Sequence, residues 1–286
     1  MRQVKVGDSG SATAPGGYAN TGVHIGDVNL VTGLPVRTRY RYQVERIAPK
    51  DLVGRHAELA ELAEFCSAPG TGESYCWWRA AAWSGKSALM SWFVLHPPAG
   101  VRVVSFFITS RLSSQDDRAA FVDNVMEQLL ALLGESWPPF LTESTREAHM
   151  LGLLTDAATA CQARGEQFVL VVDGLDEDRG ANAGPGWHSI AALLPVRPPA
   201  GMRVIVAGRP NPPVPGDIPD DHPLRAGAMI KPLAPSPEAQ AIRDTMERDL
   251  ARLLNGSPTE QDLLGLVAAA GGGLSSDDLA GLSGTS

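Results

Sequence analysis

The chain is predicted to be an α/β protein: a five-stranded, parallel, doubly wound sheet followed by a small C-terminal helical domain. Three observations predict it. Five apolar runs, at residues 75–79, 101–108, 167–173, 202–207 and 227–233, are separated by stretches of helical period. Parallel strands need such crossovers. Most of the runs are apolar throughout rather than alternating, which is the pattern of strands covered on both faces. The residues that could do chemistry stand just after strand ends: Gly85-Lys86-Ser87 after the first, Asp173 to Glu177 at the third, and Arg209 after the fourth. In open α/β sheets, ligands gather at that end of the strands.

The first run, Tyr75-Cys76-Trp77-Trp78-Arg79, breaks at Ser84-Gly85 and resumes as a helix with Lys86 and Ser87. Strand, loop, Gly-Lys-Ser, helix is the order of a phosphate-binding loop. The first helical N–H groups have no partner inside the helix, and the helix dipole adds partial positive charge there. Ser84, Gly85, Lys86, Ser87 and Ala88 are therefore the expected phosphate cradle. Lys86 brings a full charge to the outer phosphates, and the Ser87 hydroxyl is a candidate ligand for Mg²⁺. The full pattern is G-x-x-x-x-G-K-[ST], and its first glycine position holds Ala80. A bare Gly-Lys-Ser is also compatible with a surface lysine after a strand–helix turn.

The third run, Phe168-Val169-Leu170-Val171-Val172, leads into Asp173-Gly174-Leu175-Asp176-Glu177. A buried strand ending in a carboxylate presents that group to a metal ion. A strand followed by an ordinary Asp-Gly turn is the bland alternative, and the four acids between positions 173 and 178 weigh against it. The fourth run places Arg209 where a cation can reach a terminal phosphate. Alone, it would be an ordinary solvated arginine.

The remaining segments fit between these. Residues 1–20 read as a flexible tail. Residues 19–31 alternate apolar and polar groups at Val23, Ile25, Val28 and Leu30 with almost no charge, a pattern able to stack on copies of itself. Residues 35–50 carry Arg37, Arg39, Arg41 and Arg46 and read as a basic, solvated linker that could touch an acidic face of the main domain. Helices are expected from 52 to about 67, 117–133, 144–163, 187–194, 237–254, 259–270 and 275–282. The domain boundaries fall near residues 50 and 233.

Composition narrows the classes. With 286 residues there is room for one large domain and an appendage, and 44% hydrophobic content supplies a core. A net charge of −8 without a long basic run argues against general nucleic-acid binding. Cys66, Cys76 and Cys161 have no metal-ligand spacing and read as buried free thiols of a reducing compartment. No apolar run reaches membrane-helix length, and the N-terminus lacks a signal-peptide core, so a cytoplasmic location is expected.

With these motifs in view, residues 50–284 resemble the STAND class of P-loop NTPases, specifically the NACHT-like domains of bacterial NLR-type receptors. Gly85-Lys86-Ser87 is similar to that family's Walker A motif. Asp173-Gly174-Leu175-Asp176-Glu177 is similar to its Walker B, and Ala207-Gly208-Arg209 to its sensor arginine. Val53-Gly54-Arg55-x-x-Glu58-Leu59 resembles the segment that packs on adenine, which implies cofactor contacts for Gly54 and Arg55. The resemblance further implies that Ser87 and Asp173 hold Mg²⁺, that Glu177 or Asp176 positions water, and that Arg209 senses the γ-phosphate. Asn20-Thr21-Gly22-Val23-His24-Ile25-Gly26 resembles amyloid signalling motifs, implying an effector partner recruited through residues 19–31. Residues 271–284 resemble the passage from helical lid to winged helix. That family continues with a winged helix and a repeat domain, so the chain is expected to be a truncated product, an excised piece or a short form.

The implied function is an ATP/ADP-binding signalling switch with slow Mg²⁺-dependent hydrolysis and nucleotide-controlled self-association, in antiphage defence. The alternative is a scaffold that holds nucleotide without turning it over and clusters an effector through its N-terminal motif. A metabolic kinase fits less well, because no acceptor-substrate site is visible.

Overall fold

A computed structural model describes residues 36–67, 73–109, 115–182, 188–225, 227–235, 237–269 and 281–282. The 19–31 motif and the 271–280 stretch lie outside them.

In chain order the elements are α1 (Tyr40–Ile47), α2 (His56–Ser67), β1 (Tyr75–Arg79), α3 (Lys86–Leu95), β2 (Val101–Phe107), α4 (Arg118–Leu133), α5 (Glu143–Ala163), β3 (Gln167–Asp173), α6 (Arg179–Asn182), β4 (Arg203–Gly208), β5 (Met229–Pro232), α7 (Pro237–Leu254) and α8 (Pro258–Ala269). The five strands form one parallel sheet in the order β2-β3-β4-β1-β5. Along β4 every residue is buried, and along β3 every residue but the first, so both faces of the sheet centre are covered. This is the doubly wound α/β fold expected from the five apolar runs.

The core is packed from both sides with large side chains. Trp78 and Tyr75 of β1, Phe106 of β2 and Phe168 of β3 are fully buried with Phe93 of α3 and Phe121 of α4. Local signals set the helix ends. The Asp117 carboxylate accepts the Ala120 N–H at 2.8 Å and starts α4, and Gly134 ends it in the left-handed region. All three cysteines are buried free thiols.

Two expectations are corrected. The stretch at 35–50 is not merely a solvated linker. Tyr40 and Val44 of α1 are buried, and Ile47 packs against the core. The spacing 40, 44, 47 is an i, i+4, i+7 stripe, hidden in the sequence by the tyrosines, arginines and glutamate around it. The expected helix at 187–194 is, within the described residues, a single 3₁₀ turn at Ala191–Leu193.

The register of the sheet aligns its functional edge. Phe107 pairs with Asp173, Asp173 with Ala207, and Ala207 with Trp78. The ends of four strands are therefore level. Backbone bonds extend this line by one residue: Ile108 N–H donates to the Asp173 carbonyl at 2.8 Å, Gly174 N–H to Ala207 at 2.9 Å, and Ala80 N–H to Gly208 at 3.2 Å.

Candidate nucleotide-binding site

Above this level edge is a cleft of about 500 Å³, within the range of small-molecule sites. It is lined by Ser84, Gly85, Lys86, Ser87 and Ala88, by Asp173, Asp176 and Glu177, by Arg209, and by Arg46, Ile47 and Phe107 to Thr109. The sheet order explains the convergence. The loop after β1, Arg209 after β4 and the acids after β3 are neighbours because β4 lies between β1 and β3.

The loop from Ala80 to Gly85 is shaped by two residues. Gly85 has φ +82°, which a side chain disfavours, and it directly precedes α3. Trp83 has φ +63° and is half exposed in the cleft wall. A non-glycine residue in that region is strained, and such strain concentrates at ligand sites. Ala80, which replaces the usual glycine, is not among the residues with positive φ. It therefore meets no backbone penalty, and its carbonyl accepts a hydrogen bond from Lys86 Nζ at 2.8 Å. The Ala81 carbonyl accepts another at 2.9 Å. The lysine is thus folded back along the loop. Burial holds its amine below the usual lysine range, while Asp176 and Asp173 pull the other way.

Asp173 is the most perturbed group of the cleft. Burial pushes its carboxyl up to about 6, while a hydrogen bond from the Ser87 hydroxyl and the charge of Lys86 work against the rise. Among the described residues its Oδ1 is buried without a hydrogen-bond partner, and so is Ser84 Oγ in the facing loop. A buried carboxylate oxygen left unpaired is costly, and a hard cation would relieve it. Carboxylate and hydroxyl oxygens are the ligands Mg²⁺ prefers. Among the described residues no cluster of three or more His, Cys, Asp or Glu could hold a metal alone. A cation here would take further ligands from phosphate oxygens, which fits the way Mg²⁺ binds with nucleotides.

The other acids have separate tasks. Asp176 is committed to Arg209: it accepts the backbone N–H at 2.8 Å, and its Oδ2 lies 3.0 Å from Nε. Its side chain is only 6% exposed, against 49% for Arg209. Asp178 is buried and accepts N–H bonds from Gly180 at 2.9 Å and Ile190 at 2.7 Å, which is a structural role. The Glu177 side chain has no hydrogen bond or ion pair with another described residue.

Of the positions marked in the sequence, Gly54 and Arg55 are not in the cleft wall. Arg55 is buried behind the loop, donating to the Ser84 carbonyl at 2.8 Å and the Ala234 carbonyl at 2.7 Å, and it pairs with Glu58. It ties the loop to the chain after β5. Sequence reasoning missed Arg46 and Ile47. The apolar stripe of α1 could have found the helix, but nothing local reveals that its last turn faces the cleft.

Gly174 separates Asp173 from the other acids. It has φ +84°, and a Cβ there would run into the Ile108 carbonyl oxygen. Gly174→Ala is expected to destabilise the fold by about 1–3 kcal/mol, read as a lower midpoint in thermal unfolding. An unchanged midpoint would contradict the crowding described.

Strand, Gly-Lys-Ser loop, helix and an acid-tipped strand of the same sheet together make the P-loop NTPase fold. A family model described as Nephrocystin 3, N-terminal matches residues 58–209. No curated protein matches the chain. Three solved structures are similar over much of it. Cdc6p from Pyrobaculum aerophilum is 15% identical with a TM-score of 0.42, over 77% of this chain and 55% of its own length. The Aeropyrum pernix ORC2 protein is 14% identical with a TM-score of 0.41, over 88% and 73%. Drosophila ORC bound to GC-rich DNA and Cdc6 is 14% identical with a TM-score of 0.33, over 84% and 74%.

Proposed function

Because the chain belongs to the Nephrocystin 3, N-terminal family, and because its cleft gathers the parts of a triphosphate site, we propose that it is a nucleotide-dependent switch binding ATP or ADP with Mg²⁺. The supporting observation is the meeting of Lys86, Ser87, Asp173, Glu177 and Arg209 around one cleft from the ends of three strands.

Bound there, Mg²⁺ would neutralise phosphate charge. The N–H groups opening α3 and the Lys86 ammonium bind the phosphate chain, with Lys86 leaving the Ala80 and Ala81 carbonyls to do so. Ser87 and Asp173 would hold the cation through their oxygens. Glu177 orients a water and accepts its proton. Asp176 fixes the backbone and guanidinium of Arg209, which faces the terminal phosphate. Asp176 is on this reading a positioning residue, and Glu177 the base.

The finer reading is a STAND-type receptor module of NACHT character. Slow hydrolysis resets it, nucleotide exchange controls its self-association, and residues 19–31 recruit an effector in antiphage defence. The resemblance of the motifs supports that reading. Against a non-hydrolysing scaffold, Ala80 does not have a positive φ, so the residue in the usual glycine place adds no left-handed strain to the loop.

The test is titration calorimetry with ATP and Mg²⁺ on purified protein, together with analysis of co-purified nucleotide. Lys86→Ala should weaken binding by roughly tenfold to a hundredfold, the worth of one or two hydrogen bonds to a charged group. Wild-type protein that binds neither ATP nor ADP would end the proposal.

A further inference from the structure

Arg46 stands in the last turn of α1 and lines the same cleft as Lys86, Asp173, Glu177 and Arg209. Its neighbour Arg41 is engaged elsewhere, and Arg39 is fixed through its main chain. Arg41 pairs with Glu45 at 2.9 Å on the surface. The Arg39 backbone N–H donates to the Glu127 carboxylate at 2.9 Å. The other arginines around the loop are also committed, Arg209 to Asp176 and Arg55 to Glu58 and two carbonyls. Arg46 is exposed at the cleft rim, and among the described residues its guanidinium has no hydrogen-bond or ion-pair partner. Among the described residues its whole donor fork is therefore open to an anion entering the cleft, and that planar fork matches the oxygens of a phosphate.

The helix that carries it is held firmly. The Tyr40 hydroxyl accepts the Phe107 N–H at 2.8 Å, and its ring stacks on Phe106. The Val36 N–H donates to the Glu135 carbonyl at 2.8 Å. The helix that carries Arg46 is therefore packed on α3 and tied to the end of β2, and is not a free tail.

Topology says which part of a ligand it meets. Sheet order runs β2-β3-β4-β1-β5. The phosphate loop follows β1, the acids follow β3, and α1 is pinned to the end of β2. A phosphate chain that starts at the loop and runs toward Ser87 and Asp173 points its last phosphate at the β2 side. We infer that Arg46 binds the terminal phosphate of a bound nucleoside triphosphate, from the side opposite Arg209, and so makes α1 a reader of triphosphate against diphosphate. The inference rests on the nucleotide-binding reading above. It adds that the chain supplies this cation from its own N-terminal segment, which ties whatever precedes residue 36 to the state of the nucleotide.

The test uses the full chain, with calorimetry for ADP and for a non-hydrolysable ATP analogue in Mg²⁺. Arg46→Ala should lose affinity for the triphosphate by about tenfold to a hundredfold, and for ADP by less than about threefold. Arg46→Lys keeps the charge without the fork and should fall between. Hydrogen exchange gives a second readout. The α1 amides should exchange more slowly with the triphosphate than with ADP in the wild type, and equally in Arg46→Ala. Unchanged triphosphate affinity, or equal losses for both nucleotides, overturns the inference while leaving the site itself intact. A wild type that binds neither nucleotide overturns both. Should Arg46→Ala unfold, Arg46→Gln is read by the same criteria.

Discussion

Phosphate release by Glu177→Gln is expected to fall to between about one hundredth and one ten-thousandth of the wild-type rate, the usual worth of a positioned general base, with ATP affinity nearly unchanged. The expectation comes from how the four acids are deployed. Asp178 is spent on backbone N–H groups and Asp176 on Arg209. Asp173 shares a hydrogen bond with Ser87. Glu177 is the acid in the cleft wall whose side chain engages no other described residue. Asp176→Asn makes the informative contrast. It should slow release by loosening Arg209, and an Arg209→Ala variant should then show no further loss from it. If Glu177→Gln turns over ATP like the wild type in a phosphate-release assay, the base is misassigned.

Asp173→Asn should make the ligand-free protein more stable while removing its response to Mg²⁺. The folded carboxyl titrates near 6 rather than at its ordinary 3.8, a difference of about 3 kcal/mol. Proton linkage sets the sign. A carboxyl whose folded value is raised contributes stability below the unfolded value and loses that contribution as pH climbs through about 6. At neutral pH the ionised Asp173 therefore weighs against folding, and a neutral amide of the same shape does not carry that weight. The melting temperature of the variant should exceed the wild type by roughly 5–10 °C at pH 7 in chelator. The gap should close toward pH 4. Mg²⁺ with ATP should raise the wild-type melting temperature and leave the variant nearly unmoved. A variant less stable than the wild type at pH 7 would mean that Asp173 contributes to the fold and not to a ligand.

These two variants separate what the sequence makes legible from what it does not. Uninterrupted apolar runs announced β3 and β4, because strands buried on both faces have no polar face to interrupt them, while β2 and the half-exposed β5 carry Arg102 and Lys231 within their runs. The helix at Tyr40–Ile47 was obscured because only three of its eight residues face the core, and its arginines dominate the local composition. Lys86, Ser87 and Asp173 stood out as motif members. The Asp176–Arg209 pairing joins residues 33 apart in sequence, and no local pattern encodes it. Arg55 sits in a motif that the resemblance links to the nucleotide base, yet its guanidinium ends on the Ser84 and Ala234 carbonyls. A motif specifies a residue type at a spacing, while the direction of a long side chain is decided by groups folded against it from far along the chain.

The buried cysteines have a practical corollary. Desolvation pushes the Cys66 and Cys76 thiols up to about 12, and Cys161 is raised as well. Thiolate is the form that alkylating reagents attack, so these three should remain silent toward maleimides in the folded chain. A single cysteine introduced on the outer face of α1 could then carry a fluorophore against a dark background, and the motion of that helix could be followed without first rebuilding the native thiols.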